Sequence, residues 1–175
     1  MEITKEKAIR LAVVSVGAMF IASCASPTYP DLANAQQNNT LIPGNATEEK
    51  NKALVIKAFD TLFNQRDYVA AESYWSSKYI QHSAHIGPGR EGLFNLVKSS
   101  PPTLKYEPGT IVADGDFVIV HGRFSGFGQP VNWIAVDIVR IEGGILVEHW
   151  DVIQDEATQE QSKSGLPMFG AKFPE

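Results

Sequence analysis

The chain has 175 residues, 43% of them apolar and 20% charged, which fits one globular domain and excludes a disordered or fibrous chain. Its net charge of -5 comes without a basic stripe, so nucleic-acid binding is excluded. A single cysteine excludes a disulfide framework and a cysteine-ligated zinc site.

The first 23 residues differ from the rest. Lys5, Lys7 and Arg10 precede an uncharged apolar run from Leu11 to Ser23. As a helix that run would span about 20 Å, short of a bilayer core of about 30 Å, so it reads as a signal-peptide segment. It ends in Ile21-Ala22-Ser23-Cys24, which resembles the lipobox of bacterial lipoproteins. That resemblance implies cleavage before Cys24, acylation of Cys24, membrane anchoring and a place in the cell envelope. Ala33-Asn34-Ala35 leaves open an ordinary secretory cleavage instead. Residues 24–46 are rich in Pro, Asn, Gln, Ala and Ser without a period, and read as a flexible tether.

The folded domain is expected over 47–160, with a tail at 161–175. Thr47 is a candidate N-cap, and Leu54, Val55, Ala58, Phe59 and Leu62 form a helical stripe running to about Asn64. Asp67 starts a short second helix reaching about Tyr74. Ser76 to Gln81 breaks the helical pattern. Arg90 to Lys98 is a third helix, ended by Pro101-Pro102. Four β-rich runs follow, at Leu104–Ala113, Phe117–Ser125, Val131–Ile141 and Ile145–Gln154, with tight turns at Asp114-Gly115 and Gly143-Gly144. The expected class is therefore α+β, three helices on one face of an antiparallel sheet. The tail reads as a frayed end, or as a strap over the pocket mouth or the sheet edge.

The helix-then-sheet order and four motifs resemble the NTF2-like superfamily, in its SnoaL-like, polyketide-cyclase-like branch. The motifs are Tyr79-Ile80-Gln81-His82, Gly89-Arg90-Glu91-Gly92-Leu93, Asp137-Ile138-Val139-Arg140 and Glu148-His149-Trp150-Asp151-Val152-Ile153-Gln154. The resemblance covers about residues 49–170. It implies a cone-shaped sheet closed by helices around a pocket, a homodimer formed through the open sheet face, and cofactor-free acid/base chemistry on a small carbonyl compound. Aldol-type condensation or cyclisation is the leading reading. A non-catalytic ligand-binding module and a hydrolase or dehydratase in the same pocket are the alternatives, the first favoured by the export signal.

Histidine titrates near neutrality, so His82, His85, His121 and His149 are candidate acids or bases. The resemblance points to His82 as the pocket base, against a histidine hydrogen-bonded at a strand start. Asp137 interrupts an apolar strand, where a carboxyl must be paired or protonated. It is read either as a pocket acid or as an outward partner of Arg140 or Arg123. Asp151 is read as an acid/base by resemblance, or as a strand-end carboxylate. His121 is either a pocket residue or a satisfied sheet histidine. A regular two-residue turn at Gly143-Gly144 would pair Glu142 with Ile145 and oppose Asp137 to Trp150. Asp137 would then face away from His149 and Asp151 unless a bulge intervenes. His82-x-x-His85 lies in a Gly/Pro segment without a carboxylate, so no metal is expected. The absence of a Gly-rich phosphate loop and of G-x-S-x-G leaves no cofactor expected. Pocket walls are expected among Phe59, Tyr74, Trp75, Phe94, Phe117, Phe124, Trp133 and Trp150.

Overall fold

The computed structural model describes residues 46–174. The expected signal segment, Cys24 and nearly all of the tether lie outside the described residues. Helix α1 covers Ala46–Phe59, so Thr47 stands within its first turn rather than ahead of it. Its chain path then widens into a π turn over Asp60–Asn64. The Thr61 hydroxyl donates to the Lys57 carbonyl at 2.8 Å, and the Gln65 N–H reaches back five residues to the Asp60 carbonyl at 2.9 Å. The extra residue lets consecutive Thr61, Leu62 and Phe63 all be buried. It also carries Asn64 to the sheet, where its amide accepts from Tyr106 N–H at 2.8 Å and donates to Tyr106 carbonyl at 3.0 Å.

Helix α2, Tyr68–Ala71, opens on Asp67, whose carboxylate accepts from Ala70 N–H at 3.0 Å. It is shorter than the sequence pattern suggests, because the chain leaves for a strand at Trp75. Helix α3 covers Gly89–Ser99 and buries Leu93, Phe94 and Val97. Its C-terminal carbonyls are held by Arg66, whose guanidinium donates to Val97, Ser100 and Pro101 at 2.8, 3.1 and 3.1 Å. Arg66 does this from a left-handed backbone, φ 55°.

Among the described residues the sheet has five strands: β1 Trp75–Gln81, β2 Lys105–Asp114, β3 Phe117–Ser125, β4 Trp133–Glu142 and β5 Ile145–Asp155. Their spatial order is β1-β5-β4-β3-β2, with β1 parallel to β5 and the other pairs antiparallel. Four strands match the expected runs closely. β1 is the correction: the segment expected only as a break completes the sheet. Gly143 and Gly144 both take positive φ, 59° and 80°, as a two-residue hairpin turn needs.

One sheet face packs on the helices. Phe59 lies edge-on to Tyr106 at 5.3 Å between ring centres and stacked with Trp75 at 6.3 Å. The Tyr106 ring packs against Gly122, where a Cβ would stand 2.6 Å from it. Each fully buried large apolar side chain here contributes roughly 1.5–3 kcal/mol. The other face is open and carries Val112, Phe117, Ile119 and Val152 exposed. The tail is not frayed. Met168 accepts from Ala157 N–H at 3.3 Å, and the Phe169 ring lies 4.9 Å from the Arg123 guanidinium and 5.6 Å from the His121 ring, on this open face. Among the described residues no helix is long and apolar enough to cross a membrane.

Candidate active site

A cavity of about 180 Å³ lies between the helices and the inner sheet face. Its lining is mostly apolar, with Phe59 and Phe63 from α1 and the π turn, Leu93 and Val97 from α3, and Phe124 from β3. Tyr79, Asp137, His149 and Asp151 form its polar side, and His85, Gln129 and Trp133 line it as well. Among the described residues the lining includes no Lys or Arg.

A bulge decides which carboxyls meet. Ile141 pairs with Leu146 and Arg140 with Glu148, so Val147 has no partner on β4. From there on the register is one residue off the regular hairpin. Asp137 therefore lies directly opposite Asp151, and Val139 opposite His149. Alternation puts all of these side chains on the cavity face. The expectation that Asp137 opposes Trp150 and faces away from Asp151 is thus corrected by the bulge. Asp137 pairs with neither Arg140 nor Arg123.

Asp137 and His149 are both buried, with relative exposures of 3% and 4%. Asp137 Oδ1 lies 3.1 Å from His149 Nε2. The other oxygen, Oδ2, is buried without a partner among the described residues. Burial raises the Asp137 carboxyl above its ordinary value; the His149 hydrogen bond offsets part of this, and Asp151 adds to the rise. The other ring nitrogen of His149, Nδ1, lies 2.8 Å from Gln81 Oε1. Burial also keeps the Tyr79 hydroxyl protonated far above neutrality.

Strand alternation on β1 explains the histidine placements. Tyr79 and Gln81 point to the cavity side; Ile80 and His82 point outward. His82 therefore does not line the cavity, and its expected position as pocket base is corrected. Its ring stacks on Trp150 at 4.8 Å and 2°, and its Nε2 lies 2.9 Å from Glu148 Oε1. Glu148 Oε2 accepts from Arg140 Nε at 2.9 Å. These two bonds hold the Glu148 carboxyl below its ordinary value. His121 is also on the outer face, opposite Val136 and beside Phe169. Of the expected aromatic walls, Phe59, Phe124 and Trp133 line the cavity. Trp75 and Phe94 pack in the core, Tyr74 packs beside it, and Phe117 and Trp150 lie on the outer face. Tyr79 and Gln81 were not among the sequence candidates, whereas His85 was, as a titratable histidine, and it lines the cavity. The first two could have been found from the parity of β1, had that strand been recognised. Among the described residues no cluster of His, Cys, Asp and Glu could hold a metal ion.

No curated protein matches the chain. Solved structures do. A candidate ketosteroid isomerase from Kribbella flavida superposes with TM-score 0.57 at 18% identity, covering 73% of this chain and 97% of that one. An NTF2-like protein from Cytophaga hutchinsonii gives TM-score 0.52 at 16%, covering 59% and 89%. A candidate SnoaL-like polyketide cyclase from Jannaschia gives TM-score 0.52 at 21%, covering 63% and 89%. At these identities the likeness is one of fold, a helix-backed, mostly antiparallel NTF2-like sheet. Residues 55–149, more than half of the chain, match the model of the SnoaL-like domain. On that match, with the helix-backed sheet, its cavity and the strand order in place, the chain belongs to the SnoaL-like domain family.

Proposed function

We propose that the cavity performs cofactor-free acid/base chemistry on a small, uncharged carbonyl compound, forming and using an enolate as in aldol-type condensation or cyclisation. The observation that carries this is the unpartnered Oδ2 of Asp137, on a buried carboxyl that hydrogen-bonds His149 within an apolar cavity. An isolated buried carboxyl oxygen costs stability, and such groups concentrate where chemistry needs them. Oδ2 takes a proton from the carbon next to the carbonyl, while the proton on Oδ1 passes to His149 Nε2. The products are an enolate and an imidazolium, so charge balances within the site. The neutral Tyr79 hydroxyl is the donor nearest in kind to what an enolate oxygen needs. The enolate carbon then forms a bond to a second carbonyl carbon, and the new alkoxide takes the proton back from the acid/base pair. With no Lys or Arg among the described lining residues, a carboxylate-bearing substrate would lack a counter-ion beside Asp137 and Asp151.

The test is hydrogen–deuterium exchange next to the carbonyl in a panel of small aryl and alkyl ketones in D₂O, followed by mass spectrometry. Wild type should exchange at least one ketone faster than buffer, and Asp137→Asn should not. Ketones that bind but never exchange would establish the ligand-binding alternative and end the catalytic reading.

Two further properties belong to this reading. The chain is exported and anchored in the cell envelope through acylated Cys24, which predicts label from a fatty-acid analogue in wild type and none in Cys24→Ala. It also pairs with a second copy through the open sheet face, supported by the apolar residues exposed there.

A further inference from the structure

We propose that Gln81 is a positioning residue that fixes a proton on Nδ1 of His149 and thereby makes Nε2 share a single proton with Asp137. Gln81 ends β1 and lies in register with His149 of β5. Its Oε1 faces two groups: Ser83 N–H at 3.0 Å and His149 Nδ1 at 2.8 Å. A backbone N–H can only donate, so the amide atom facing it must be the oxygen. That oxygen can only accept, so the nitrogen 2.8 Å away must carry a hydrogen. With Nδ1 protonated, Nε2 of a neutral imidazole is a bare lone pair. It lies 3.1 Å from Asp137 Oδ1, a contact that requires a proton between them. Two states meet this condition: a carboxylic acid donating to imidazole, or an imidazolium donating to carboxylate. Both leave the buried pair with no net charge. The state excluded is a carboxylate beside a neutral Nε2–H imidazole, which would put a net negative charge in the apolar cavity.

The orientation of Gln81 is maintained at a cost, because it leaves the amide nitrogen Nε2 buried without a partner among the described residues. Ser83 is buried as well, so its N–H is shielded from water as an alternative partner. Local rules broken in this way concentrate at functional positions. For the enolate chemistry above, on which the catalytic consequence rests, Gln81 keeps Nε2 ready to accept the Asp137 proton and accepts from Nδ1–H as the ring becomes charged.

The test needs no substrate. A two-bond proton–nitrogen correlation spectrum of the ¹⁵N-labelled full chain reports which imidazole nitrogen is protonated, with His149→Asn identifying the signal. Wild type should show His149 protonated at Nδ1, alone or together with Nε2. Gln81→Met, which removes the acceptor at similar size, should lose the fixed Nδ1–H pattern and gain the Nε2–H form. Gln81→Glu, which keeps an acceptor oxygen, should retain Nδ1–H. A wild-type ring protonated at Nε2 alone overturns the assignment, as does a Gln81→Met spectrum identical to wild type. Failure of the ketone exchange assay with the expected spectrum would remove the enolate reading and leave the tautomer assignment standing.

Discussion

Burial raises the Asp137 carboxyl, so the folded chain keeps that proton to higher pH than the unfolded chain does. The sign of the consequence is opposite to that of a salt-bridged carboxylate. Stability tied to the protonated carboxyl is fully present at acid pH and is lost as pH rises from the ordinary carboxylate value through the raised one. Asp137→Asn keeps a donor toward His149 Nε2 and cannot ionise. Its melting temperature relative to wild type should therefore climb from acid to neutral pH; thermal melts at several pH values check this, and a flat difference would refute it. The same variant should lose ketone exchange, a trade of activity against stability. His82 is the contrasting residue. Its bonds lie on the outer face, so His82→Ala should leave exchange at the wild-type rate, measured in the same assay. Asp137 stood out in the sequence because a carboxyl interrupts an apolar strand. Gln81 did not, because an amide at a strand end carries no such signal until a ring is placed against it.

Elements were legible in proportion to their local signals. The Gly143-Gly144 turn and the β-branched runs mark β3, β4 and β5 to within two residues at each end. β1 escaped because Ser76-Ser77-Lys78 has neither alternation nor β-branched residues, and it is a strand only because β5, distant in sequence, offers a parallel edge. The bulge at Val147 has no signature in its own residues, yet it decides which side chains reach the cavity. The π turn after α1 is comparable, adding one residue so that Phe63 reaches the cavity while Asn64 reaches β2. Arg66 binds α3 to this turn through three carbonyls. Arg66→Ala should lower stability by about 1–3 kcal/mol, since it leaves partly buried carbonyls without that donor. Arg66→Gly relieves the left-handed backbone and should fall between the two. Urea unfolding with unchanged m would measure both.

At the scale of the molecule, the sheet is asymmetric. Its inner face is closed by helices, while its outer face leaves Val152 67% and Phe117 41% exposed. The tail covers only the part near Gly109, His121 and Arg123. The proposed homodimer would cover the remainder. Light scattering should give twice the chain mass for wild type and a monomer for Val152→Asp, because a carboxylate cannot be buried there without a partner; a monomeric wild type would end the proposal. The sequence by itself determined the class, most strand and helix positions, the family, and, besides His85, three of the cavity's polar residues: Asp137, His149 and Asp151. These rest on local propensity, turn chemistry and motif, which act over a few residues. The tertiary structure alone decided that those three share one face, that His82 and His121 lie on the other, and that Gln81 Oε1 stands against His149 Nδ1. Such outcomes depend on strand register, and register is set by pairing between segments distant in the chain, where one bulged residue sends a side chain to the opposite face.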